Sequence, residues 1–169
     1  MSIQKVSNDI LSTPGQVLQV VNSIKTDTTA SAGAAAWNDS GLSAAITPSS
    51  TSSKILVKYS PLIVVLSGHS TSNTYFKIVR DSTDLGLGDA AGSRLRATFA
   101  NIYTFGDGNI QKTHSFQLLD SPSSTSALTY KVQVRSQAGT YYINRSVSDG
   151  DSADIGRTSS SITLMEIAG

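Results

Sequence analysis

Apolar and polar positions alternate with a period of two along much of this chain, the spacing of half-buried strands. The clearest stretch sets Tyr130, Val132 and Val134 against Lys131, Gln133 and Arg135. Gln137-Ala138-Gly139 reads as a turn into residues 140–145, which predicts a hairpin. Residues 54–66 form a long β run in which Pro61 predicts a bulge or an edge, because proline brings no N–H to a ladder. Residues 75–80, 94–105, 115–119 and 161–167 read as further strands, 41–46 as a short one, and Leu85-Gly86-Leu87-Gly88 as a short extended piece. Residues 17–21 are largely apolar in both phases, with Gln19 the exception, which predicts a strand buried on both faces. Residues 28–36 are Ala, Ser and Thr with one Gly and carry no readable period.

Turn signals separate these runs at Thr47-Pro48-Ser49, Gly68-His69-Ser70, residues 81–84, Gly106-Asp107-Gly108-Asn109, Asp120-Ser121-Pro122 and residues 148–158. About nine or ten short strands, closely spaced and almost without helix, predict an all-β fold, a jelly-roll-like β-sandwich. No fixed-period repeat points to a solenoid or propeller. Residues 1–14 stand apart. Ser7-Asn8-Asp9 can cap one short helical turn, Pro14-Gly15 breaks it, and Ile3, Val6, Ile10 and Leu11 share one face of it. A turn this short is unstable alone in water and needs a surface to dock on. The predicted organisation is a docking segment at 1–14, through Ile3, Val6, Ile10 and Leu11, and a sandwich domain at 15–169.

Composition sharpens this reading. Only 15% of residues are charged, against roughly 25% in an average soluble domain. With 29 Ser and 17 Thr, the surface is made polar by hydroxyls, which suit turns and, for Thr, strands. A net charge of +1 with no basic run argues against nucleic acid as a partner. The absence of cysteine excludes disulfides and thiolate metal sites, so a small β domain needs another source of stability, such as subunit association. The first residues lack the apolar core of a signal peptide, and the longest apolar run, Leu62–Leu66, is far short of a membrane span. Synthesis in the cytoplasm without a membrane role is therefore expected, and the sequons at Asn38 and Asn144 count as chance.

Candidate chemistry is sparse. His69 and His114 are the only histidines, and no nucleophile–base–acid order, metalloprotease helix or phosphate loop is present, so no enzyme and no cofactor are expected. Asp149, Asp151 and Asp154 with Gly150 and Ser152 are weak calcium candidates; the spacing is not that of a calcium-binding helix–loop–helix, and turn chemistry explains the residues as well, so no metal is expected. Trp37, Tyr141 and Tyr142 are candidates for contact with a glycan, with packing in the core as the competing use. Arg80, Arg94, Arg96, Arg135, Arg145 and Arg157 lie on or beside strands and can meet loop aspartates across a subunit boundary or remain ordinary surface residues.

Several stretches together resemble the tail-fibre-like group of virion proteins of tailed bacteriophages, many from phages of aquatic bacteria, including cyanobacteria. They are Gly15–Val21 with Lys25-Thr26-Asp27-Thr28, Gly41-Leu42-Ser43 with residues 46–57, residues 89–94, 130–136, 151–154 and 161–167. The likeness covers most of the chain. It implies a structural protein of the particle, either a head decoration (cement) protein or a fibre or baseplate component, located in the virion and made in the cytoplasm of a bacterial host. Its partners would be other copies of itself and capsid or tail subunits. The alternative it leaves open is a carbohydrate-binding tip that recognises a host surface glycan. Residues 75–80, a later hairpin and a terminal apolar strand also resemble, at fold level, the trimeric jelly rolls of the tumour necrosis factor and complement-head kind, which implies a homotrimer.

Overall fold

The computed structural model describes residues 13–32, 35–67, 73–101 and 112–169. The strands are β1 (Val17–Lys25), β2 (Thr29–Ala32), β3 (Asn38–Ile46), β4 (Lys54–Ser67), β5 (Thr74–Arg80), β6 (Thr83–Leu85), β7 (Phe99–Asn101), β8 (Lys112–Asp120), β9 (Leu128–Ser136), β10 (Thr140–Ile143) and β11 (Ser160–Ile167). The proposed docking residues Ile3, Val6, Ile10 and Leu11 lie outside the described residues, as do the expected turns at 68–70 and 106–109.

The strands form two antiparallel sheets. In the first, β4 is the spine: its early half pairs with β11, its late half with β10, and β8 runs along its other side. β1 pairs with β11 and β2 with β10. The second sheet runs β3, β9, β5, with β6 and β7 each pairing part of β5. In-line strands share a lane, so each sheet is four lanes wide. In chain order the eight lanes alternate between sheets except where β5 passes to β6 within the second sheet. This is a jelly-roll sandwich.

The inward faces follow from the period-two pattern. Leu42, Ala44 and Ile46 of β3, Ile55, Val57 and Tyr59 of β4, Phe76 and Ile78 of β5, Tyr130, Val132 and Val134 of β9, and Ile162 and Leu164 of β11 are buried in one core. Phe99 on short β7 stacks on Phe76 with ring centroids 4.4 Å apart and lies 5.3 Å from Tyr59, closing one end of the core with aromatic surface.

Four expectations change. Residues 28–36 conceal β2, an eleventh strand held by pairing with β10 rather than by its own propensity. Gln137-Ala138-Gly139 does not close a hairpin: β9 belongs to the second sheet and β10 to the first, so the turn, with Gly139 at φ +75°, carries the chain across the sandwich. Residues 94–98 are not strand, because a turn closed by the Arg94 N–H on the Ala91 carbonyl, with Gly92 at φ +60°, takes the chain out of the ladder until Phe99. β1 is not buried on both faces: it is an edge strand, and Val20 and Ile24 are 57% and 62% exposed. The bulge expected near Pro61 is present, as a shift of the β4–β8 register between Tyr59 and Leu62.

Candidate assembly surface

The outer face of the first sheet carries a row of apolar side chains that the register aligns. Val20 of β1 is opposite Met165 of β11, Met165 is opposite Leu56 of β4, and Leu56 is opposite Leu119 of β8. Met165 and Leu56 are half-buried by their neighbours, while Leu119 is 53% exposed. At roughly 4.8 Å between strands, the row crosses about 14 Å of the sheet. The next row, Asn22, Thr163, Lys58 and Gln117, is polar. Leu18 and Ile24 extend the apolar surface along the edge strand. Lys54 and Lys58 are exposed on this face, and none of its outward-facing described residues is acidic. An exposed edge strand rich in apolar side chains, joined to an apolar row on the sheet face, is a surface that soluble proteins normally cover.

Beneath this face lies a carboxylate that sequence reasoning missed. Glu166 occupies the inward phase of β11, after Ile162 and Leu164, and is 1% exposed. Its Oε1 accepts bonds from the Ser49 N–H (2.7 Å), the Ser49 hydroxyl (2.6 Å) and the Ser53 hydroxyl (2.7 Å), and its Oε2 accepts one from Gln19 Nε2 (2.6 Å). Burial pushes its pKa up, but the donors of Ser49, Gln19 and Ser53 outweigh that and hold it below the ordinary carboxylate value. Gln19 also donates to the Thr47 carbonyl, so the carboxylate ties β1, β11 and the β3–β4 turn into one corner of the first sheet. The signal available was an acid in the phase of the strand that is otherwise apolar.

The aromatic trio does not form one platform. Tyr141 is fully buried and unavailable to a glycan, because β10 turns it into the core. Trp37 carries the Lys77 ammonium 4.9 Å from its ring centroid on the second sheet, and Tyr142, on the first, carries the Arg145 guanidinium at 4.3 Å. In the 149–154 loop, Asp149 is taken by two cations, Arg157 at 2.7 Å and Arg145 at 3.3 Å, which hold its carboxyl below the usual range. Asp151 and Asp154 are exposed, and among the described residues no group of three or more acids or histidines is gathered to hold a metal ion.

The six arginines divide in two. Arg80 pairs with Asp120 (2.6 Å), and Arg145 and Arg157 pair with Asp149, all within the subunit. Arg94, Arg96 and Arg135 make no ion pair among the described residues and line a single cleft on the second sheet.

No family model and no curated protein match this chain. It is similar in part to solved structures of infectious bursal disease virus. One of the Gx strain is 13% identical at a TM-score of 0.42, over 92% of this chain and 39% of that one. One of the Gt strain is 10% identical at 0.42, over 99% and 41%. The VP2 subviral particle is 14% identical at 0.40, over 89% and 38%. The chain spans about two fifths of those chains, and its jelly-roll fold rests on its own strand register.

Proposed function

We propose that this chain is a non-enzymatic structural protein of a tailed-bacteriophage virion, a homotrimer attached to the particle as a head decoration or as a fibre or baseplate component. The observation that supports this best is the row Val20, Met165, Leu56 and Leu119, which leaves a jelly-roll face uncovered in the monomer. Its occupant is a second copy of the chain. The apolar surface runs from the sheet face onto the free edge of β1, so edge and face are continuous. A contact in which the edge of one copy meets the face of the next is head-to-tail, and such a contact closes into a ring, such as a trimer, when its rotation is a whole fraction of a turn. With no cysteine in the chain, burial of this surface is the available route to added stability. The likeness of the Gly15–Val21, 46–57 and 161–167 stretches to tailed-phage virion proteins supports the same reading; the first overlaps the start of β1 and the last lies within β11.

Attachment to the particle is assigned to residues 1–14, whose apolar positions Ile3, Val6, Ile10 and Leu11 need a surface to dock on. Chain lacking residues 1–14 is expected to keep its fold and its oligomeric mass but to fail to co-sediment with virions. Co-sedimentation equal to that of the full chain would refute this assignment, and an unfolded product would place the segment in the core.

A further inference from the structure

Three arginines without an ion pair among the described residues gather on the opposite sheet from the apolar row. Arg94 and Arg96, from the β6–β7 loop, meet Arg135 of β9 around a cleft of about 530 Å³ that Tyr75, Gln137 and Ser93 also line. The sequence conceals this cluster, because about forty residues separate the two loop arginines from the third. Each guanidinium is anchored by a backbone carbonyl: Arg135 Nε on Ala35 (2.7 Å), Arg96 Nε on Gly88 (2.7 Å) and Arg94 Nη1 on Ala91 (3.4 Å). For Arg96 and Arg135 the anchor uses Nε, so the paired terminal nitrogens are left for another partner. The one acid in the lining, Asp84, is neutralised by Lys77 at 2.7 Å. The cleft thus holds three positive charges on a chain whose net charge is +1.

We propose that this cleft binds a carboxylate-bearing saccharide unit. Anchored arginines offer the fork that carboxylates accept two bonds from, at a reduced entropy cost. The volume falls within the roughly 300–1,000 Å³ of small-molecule sites. The rest of the lining suits a sugar better than a simple anion. Gln137 and Ser93 bring polar groups for sugar hydroxyls, as does the Tyr75 hydroxyl, which accepts from Asn73 and keeps its own proton to donate, and the Tyr75 ring, Leu87 and Leu95 bring apolar surface for the C–H face of a pyranose. A phosphate or a peptide carboxylate would use the arginines and leave these neighbours idle. The site depends neither on the trimer nor on attachment to a particle, so it stands or falls separately from the function proposed above.

The test is a titration of the full chain, by calorimetry at physiological salt, with tetragalacturonate, neutral galactotetraose, inorganic phosphate and poly-glutamate. Binding of tetragalacturonate alone is expected, weakened about tenfold or more in Arg94→Gln/Arg96→Gln, since each charge-assisted bond is worth at least a factor of ten. Both arginines are exposed and sit in a loop, and circular dichroism confirms that the variant is folded. Arg135→Lys, which keeps the charge but not the fork, is expected to weaken binding as well. No binding, equal binding of the neutral oligomer, equal binding of phosphate or poly-glutamate, or unchanged affinity in the double variant would each overturn the proposal.

Discussion

Replacing Glu166 by glutamine keeps the shape of the side chain and changes only its charge and one of its acceptors. At pH 7 the wild-type carboxylate accepts four bonds from Ser49, Ser53 and Gln19. The substituted amide can keep the three bonds at the Oε1 position with its oxygen, but its NH₂ then faces the Gln19 NH₂, and two donors meet. The three surviving bonds also lose their ionic character, and hydrogen bonds to charged groups are worth about 1.5–3 kcal/mol against about 1 for neutral ones. Relief from burying a charge offsets part of this. The net expectation for Glu166→Gln is a loss of about 2 kcal/mol, and for Glu166→Leu, which removes the acceptor of all four bonds and orphans the buried Ser53 hydroxyl, about 3–5 kcal/mol. Urea unfolding followed by Trp37 fluorescence, at one fixed protein concentration, reads both. The pH dependence is the sharper check. A carboxyl whose folded pKa lies below its ordinary value of 4.5 stabilises the fold above that value, and the contribution is lost as the pH falls through the folded pKa. The gap between wild type and Glu166→Gln is therefore expected to be full at pH 7 and to close below about pH 4.5. A gap of the same size at pH 7 and pH 3, or no gap at pH 7, would refute the reasoning.

Two further outcomes follow from packing. Gly41 sits at φ +82° in the β3 bulge, and a Cβ there would lie 3.0 Å from Lys25 Nζ, so Gly41→Ala is expected to cost about 1–2 kcal/mol, read as a fall in Tm. Asp120 accepts from both Arg80 (2.6 Å) and the hydroxyl of buried Tyr130 (2.8 Å), and burial together with this carboxylate pushes the Tyr130 pKa up. Asp120→Ala is expected to cost about 2–3 kcal/mol, and adding Tyr130→Phe to return part of it in a double-mutant cycle, because the orphaned hydroxyl is then gone.

The jelly roll was legible in the sequence because strand phase is a local property. Tyr130, Val132 and Val134 face inward as their alternation with Lys131, Gln133 and Arg135 requires. What local pattern could not give is pairing. Val17–Val21 is largely apolar in both phases, and only the strand order reveals that one of those phases is uncovered at a sheet edge. Leu56, Leu119 and Met165 look like ordinary strand residues until the register places them in one row with Val20. The turn at 137–139 has hairpin chemistry but crosses between sheets, because β10 finds its partners in β2 and β4. Arg94, Arg96 and Arg135 form a cluster only after the β6–β7 loop is folded beside β9. Glu166 and Tyr141 fail in opposite ways: a residue that normally seeks water is buried by four donors, and a candidate for ligand contact is spent on the core.

Whether a second copy of the chain covers the apolar row is decided by the solution mass of the purified protein by light scattering, with Val20→Lys/Leu119→Lys measured beside it. Val20 and Leu119 are 57% and 53% exposed in the monomer, so burying what remains is worth about 1–1.5 kcal/mol for each, and the variant is expected to fold. A wild-type mass near three times 17.7 kDa, falling to 17.7 kDa in the variant, is the expected result. A wild-type mass of 17.7 kDa, or a variant that remains a trimer, would contradict the account.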